Sequence, residues 1–148
     1  MCWLSKEVIP FNIAAEDVEV YKVMFATESD RRFMSCYRRM LYDAGKEYEV
    51  EMTVSKLDKG ILGKYHMMIE QGFHSYSLDN TIVMRNVTNL SVICKETGDC
   101  IESVKLLSLI KRVAVKCIIP KGSKYYMNEV GEIVSDQIII TGEAIAFD

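Results

Sequence analysis

KRVAVKCIIPKGSKYYMNEVGEIVSDQIIIT, residues 111–141, is the stretch whose reading decides the fold. Val113, Val115, Cys117 and Ile119 alternate with Ala114, Lys116 and Ile118 before Pro120-Lys121-Gly122-Ser123 stops the run. Side chains two residues apart share one face of a strand, so this pattern predicts a strand with two distinct sides. Lys124 to Met127 reads as a second short strand, Glu129 to Glu132 as a turn around Gly131, and Ile133 to Thr141 as a third strand. β-Branched and aromatic residues punctuated by proline and glycine predict strands with tight connections. The expectation is a β-meander that closes one core.

Working outward, Val18 to Phe25 alternates well enough to be the first strand, and Thr27-Glu28-Ser29-Asp30 is a polar turn cluster. Arg31 to Leu41 reads as a strand pairing with the first as a hairpin, although Phe33, Tyr37, Met40 and Leu41 also recur at helical spacing. Tyr42 to Lys46 contains Gly45 and reads as a turn. Glu47 to Val54 sets Tyr48, Val50 and Met52 against Glu47, Glu49 and Glu51, the pattern of a half-buried strand. Lys56 to Lys64, with Gly60 and Gly63, reads as a loop. Phe73 to Tyr76 is a short extended piece with Phe73 and Ser75 on one face and His74 and Tyr76 on the other. Asp79 to Val87 has both helical and strand signals, and Ile101 to Ile110 has a workable helical face. The architecture expected is α+β: one domain spanning residues 1–148, strand-rich, with one or two helices between Asp79 and Ile110 packed on a mainly antiparallel sheet. The strand at Val18 to Phe25 or that at Ile133 to Thr141, if it lies at an edge, invites pairing with a second copy into a homodimer.

The chain has 148 residues, 18 basic and 21 acidic, a net charge of −3 and a hydrophobic fraction of 49%. That is ordinary for one globular domain with its own core. It offers no broad basic footprint for nucleic acid and no polybasic membrane patch. The apolar runs are too short to span a bilayer, and the opening MCWLSKEVIPF lacks the apolar region of a signal peptide. The expected location is the cytoplasm, where Cys2, Cys36, Cys94, Cys100 and Cys117 are reduced thiols. Cys36 and Cys117 sit in apolar patterns and are expected in the core. Trp3 is expected to be tied down by burial.

Chemistry-bearing patterns are sparse. His74, beside Ser75 and Tyr76 and close after Gly72, is a candidate pocket residue, with a backbone-bonded structural histidine as the competing reading. The soft ligands Cys94, Cys100, His66 and His74 lack the spacing of a zinc site, so no metal is expected. Gly-x-Ser-x-Gly and a complete phosphate loop are both missing.

Two segments together, Gly72-Phe73-His74-Ser75-Tyr76-Ser77 and Cys117 to Tyr126, resemble a group of small uncharacterised bacterial and phage proteins. Met1-Cys2-Trp3, Val20-Tyr21-Lys22-Val23 and Gly131 to Ser135 are similar too. More distantly, the layout resembles ADP-ribosyltransferases. That resemblance places Tyr21-Lys22 at the family's first-strand position, Phe73, Ser75 and Ser77 at its Phe-x-Ser-Thr-Ser segment, and Ile119 to Tyr125 at its late strand, all around nicotinamide adenine dinucleotide. Lys116 stands where the family has its catalytic glutamate, and a lysine opposes the positive charge that the carboxylate stabilises. The function expected is therefore a small non-catalytic binding or interaction domain, with no cofactor, that takes a protein or small-molecule ligand near Tyr21, His74, Ser75, Ser77 and Tyr126. The alternative is an active or degenerate enzyme of the transferase type that binds the dinucleotide. A phage or mobile-element accessory role is compatible with either.

Overall fold

The computed structural model describes residues 3–27, 31–35, 40–61, 64–77 and 112–146. Among them the regular elements are strands: β1 Trp3–Ser5, β2 Asn12–Ile13, β3 Val18–Ala26, β4 Arg32–Ser35, β5 Leu41–Asp43, β6 Glu47–Glu49 and β7 Val54–Ile61. They continue with β8 Tyr65–Ile69, β9 Phe73–Tyr76, β10 Arg112–Ile119, β11 Lys124–Met127, β12 Glu132–Ser135 and β13 Gln137–Ala146. All pairings are antiparallel. The expected α+β class is thus corrected to all-β among the described residues. The helices expected between Asp79 and Ile110 lie outside those residues. Of the expected Arg31 to Leu41 strand, Arg32–Ser35 pairs with β3 as a hairpin, while Leu41 already belongs to β5, which pairs back on β4, so the single strand is corrected to two.

The larger sheet runs β2-β11-β12-β9-β3-β10-β13-β6, with β4 on the far half of β3 and β5 on β4. A smaller sheet runs β1-β8-β7. The centre is β3 against β10, paired from Arg112 opposite Phe25 to Ile119 opposite Val18. The 111–141 stretch is therefore not a simple meander. β10 pairs with β3 and β13, while β11 and β12 form their own hairpin through Gly131 at φ +83°. Asp136 divides the expected third strand into β12 and β13; its amide donates to Lys124 O at 3.1 Å, and its carboxylate takes the Lys124 amide at 3.0 Å. That corner lets the chain leave one side of the sheet and return on the other.

Two more boundaries differ from expectation. The Glu47 to Val54 strand stops at Glu49, where the Val50 amide turns to Asp136 O. The Lys56 to Lys64 loop is largely strand β7, which pairs with β8 across an irregularity between Lys56 and Ile61. β3 and β13 each have neighbours on both sides, so neither is the edge proposed for self-pairing. The edges among the described residues are β2, β6, β5, β1 and β7.

The core follows from strand alternation. Val20, Met24, Val113, Val115, Cys117 and Ile119 of the central pair meet Phe33, Tyr42, Phe73, Ile133, Ile138 and Ile140 inside the curved sheet. Each large aliphatic residue sealed there contributes about 1.5–3 kcal/mol. Gly142, at φ +92°, sits in the β10–β13 bulge, and a Cβ there would lie 2.9 Å from Ala44 Cβ. A second cluster, Trp3, Met67, Ile69, Tyr126 and Val134, joins the small sheet to the opposite face of β11 and β12. Trp3 is 1% exposed and its indole N–H donates to Glu132 O at 2.9 Å, so the tryptophan is tied down as expected. No helix among the described residues is long and apolar enough to cross a membrane.

Candidate functional site

The pairing of Tyr21 with both Lys116 and Tyr76 fixes which residues share a side of the central strands. Tyr21, Lys116, His74 and Tyr76 belong to the outer face. Lys22, Val115, Cys117 and Ser75 belong to the inner one. The split within Phe73 to Tyr76 is the one the sequence predicts.

On the inner face Lys22 is a charged residue within the core, 8% exposed. Its ammonium donates to His74 O at 2.6 Å and lies 5.7 Å from the centre of the Tyr42 ring. The position explains the contact. β3 exchanges β9 for β4 as its neighbour just here, with Tyr21 opposite Tyr76 and Met24 already opposite Ser35. The long lysine side chain reaches the His74 carbonyl beside that exchange. Ser75 is fully buried, and its hydroxyl has no hydrogen-bond partner among the described residues. Cys117, paired with Val20, is also fully buried, and burial pushes its thiol up to about 12. Its S–H points to Val115 O at 3.4 Å. A thiol held neutral in this way is a packing group and not a nucleophile.

On the outer face Lys116 bridges Glu143 Oε2 at 3.2 Å and Glu19 Oε2 at 3.5 Å. The Tyr21 hydroxyl donates to Glu19 Oε1 at 2.9 Å. The hydrogen bond to Glu143 raises the Lys116 pKa above its usual value, and the hydrogen bond to Glu19 raises that of Tyr21. Both groups therefore keep their protons at neutral pH. The register of β13 with β6 adds Ile139 and Glu47 to this face, with Glu49 two residues on. Glu19, Glu47, Glu49 and Glu143 thus share one sheet surface with Lys116, Tyr21, Ile118 and Ile139.

The five residues singled out in the sequence do not form one cleft. Tyr21 is half-buried on the outer face, Ser77 is exposed at the end of β9, and Ser75 is sealed inside. His74 is half-buried on the outer face and supplies the carbonyl that Lys22 binds. Tyr126 belongs to the second cluster, with the tilted Trp3 ring centred 5.8 Å away and Phe11 edge-on at 6.4 Å, and burial raises its pKa. The residues that sequence reasoning missed are Lys22 as a core group and Glu19, Glu143, Glu47 and Glu49 as a shared surface. Alternation in Val18 to Phe25 placed Lys22 on the same side as Val20 and Met24, and that was the available signal.

Among the described residues no set of three or more His, Cys, Asp or Glu side chains is placed to hold a metal ion. Cys2, Cys36, Cys94 and Cys100 lie outside them. No protein-family model, no curated protein and no solved structure matches the chain.

Proposed function

We propose that the protein is a small cytoplasmic binding domain that docks a basic segment of a partner protein on the outer face of β3, β10, β13 and β6. The observation that carries this reading is the composition of that face. Among its described side chains four carboxylates accompany one ammonium, with Tyr21, Ile118 and Ile139 between them, on strands anchored from behind by the core. An aromatic and aliphatic surface bordered by acid suits a segment that alternates arginine or lysine with apolar residues. Titration calorimetry with a short peptide of alternating arginine and leucine tests it. Saturable binding at low salt, weakened by added salt and by Glu19→Gln combined with Glu143→Gln, is expected. Absence of binding at low salt, or binding indifferent to both changes, overturns the reading.

The dinucleotide alternative keeps one supporting observation. The first two segments that resemble the transferase family lie on neighbouring strands, β3 and β9, and the third begins at the last residue of β10, the other neighbour of β3. Against it, Lys22 and Ser75 face the core while Lys116, at the place of the family's glutamate, faces outward. One bound dinucleotide cannot reach all three from one side of a sheet. A thermal-shift titration with nicotinamide adenine dinucleotide is expected to leave the midpoint unchanged. A saturable rise would revive the alternative.

A further inference from the structure

We infer that the outer face selects its basic segment by spacing: Glu19 and Glu47 take two basic residues about four positions apart in an extended chain that crosses the strands. Ile118 and Ile139 take the apolar residue midway between them. This rests on the binding reading and names the pattern that the site accepts. The register carries it. Glu19 of β3 lies opposite Ile118 of β10, Ile118 opposite Ile139 of β13, and Ile139 opposite Glu47 of β6. Directly opposed residues share a face, so these side chains form one row across the sheet, with acid at both ends and isoleucine between. Glu19 and Glu47 are exposed, and the two isoleucines are half-buried on strands whose other side is core. The face is not equally open along its length: Phe25 and Ala114, on the same side toward the other end of β3 and β10, are 1% and 0% exposed.

The spacing follows from strand geometry. Neighbouring strands lie about 4.8 Å apart, so Glu19 and Glu47, three strand steps from one another, are separated by about 14 Å at the backbone. An extended chain rises about 3.3 Å per residue, so about four residues cover that span. Side chains alternate along such a chain, so residues i, i+2 and i+4 all face the sheet. Basic residues at i and i+4 then meet the two carboxylates, and an apolar residue at i+2 meets the isoleucines. A chain running along the strands meets no such pattern: on this face Glu19 is followed by Tyr21 and Val23 on β3, and Ile118 is preceded by Lys116 on β10. Glu143 lies off the row. Lys116 is 3.2 Å from Glu143 and 3.5 Å from Glu19, so Glu143 is the more neutralised of the two. Its charge adds general attraction without marking a position.

Chemical-shift titration at low salt with two capped peptides of one composition, Arg-Ser-Leu-Ser-Arg and Arg-Arg-Leu-Ser-Ser, tests this. The first is expected to bind about fivefold more tightly, the effect of one further solvent-exposed ion pair. Glu47→Gln is expected to abolish that difference, and Glu143→Gln to weaken both peptides alike. Equal affinities, or a difference that survives Glu47→Gln, overturn the spacing inference and leave the binding reading standing. So does failure of both peptides while the peptide of alternating arginine and leucine binds. Failure of all three overturns the binding reading, and the spacing falls with it. A dimer in light scattering that dissociates on Glu47→Gln would assign the row to a second copy and overturn the inference as well.

Discussion

Two lysines sit on adjacent strands of the central pair and do opposite things. Lys22 is 8% exposed, holds a backbone carbonyl and lies by an aromatic ring. Lys116, with 30% of its side chain exposed, rests between two glutamates in contact with solvent. The residue type is the same, and the strand face alone decides the role. A charge in the core is retained only if its donors are used, and removing it leaves the bonded partner dry and unsatisfied. A charge on an open sheet face makes ion pairs that solvent largely screens. The contrast also separates fold from function: the inner lysine belongs to the architecture, the outer one to whatever meets that surface.

Substitutions on the two faces sharpen or break this contrast. Lys22→Glu is expected to have the largest effect, a loss of about 3–5 kcal/mol in urea unfolding, because a carboxylate then faces a carbonyl in the core. Lys22→Met is expected to cost about 1–3 kcal/mol, the penalty of leaving His74 O without its donor. A cost near zero would mean that the carbonyl does not depend on the ammonium.

The next effect appears only in alkali. The Cys117 thiol is held at about 12 against an ordinary value of 9.0, so the folded state keeps a proton that the unfolded chain gives up. Stability is then whole below pH 9.0 and falls as pH rises toward 12, by about 1.4 kcal/mol per pH unit. Lys116 and Tyr21, both raised, add loss of the same sign above their ordinary values of 10.5 and 10.0. Cys117→Ala is expected to flatten the slope between pH 9.0 and the onset of those two. An unchanged slope would place the thiol outside the core.

Ser75→Ala is expected to leave stability unchanged or raise it by up to about 1 kcal/mol, since the hydroxyl is buried without a partner among the described residues. A clear loss would reveal a bond to that hydroxyl. The smallest effect belongs to Lys116→Met, within about 0.5 kcal/mol at neutral pH, as befits a solvent-exposed pair. A loss as large as that of Lys22→Met would erase the distinction between the faces.

What the sequence revealed, and what it hid, follows the same line. Period-two alternation placed Val20, Lys22 and Met24 on one side and split Phe73 and Ser75 from His74 and Tyr76, because strand geometry is local. The Arg32–Ser35 hairpin was legible for the same reason. Strand neighbours were not. Which strand lies beside β10 depends on the chain turning at Asp136; Ser135-Asp136-Gln137 interrupt the apolar residues there, but a reading that runs Ile133 to Thr141 as one strand passes over them. Gly60 and Gly63 suggested a loop where β7 runs, since glycine weakens a strand without forbidding it. Tyr126 looked like a ligand contact because its partners Trp3 and Phe11 are distant in sequence. The candidate site was legible as a set of faces, and not as a depth: alternation cannot tell that Lys22 and Ser75 are sealed while Tyr21 meets solvent.

Amine labelling of the native protein with acetic anhydride, read lysine by lysine in a mass spectrometer, addresses the two faces most directly. Lys116 should label along with exposed lysines such as Lys121, while Lys22 should stay protected until the protein is unfolded. Labelling of Lys22 at the same rate as Lys116 would contradict the assignment of the two lysines to opposite sides of the sheet.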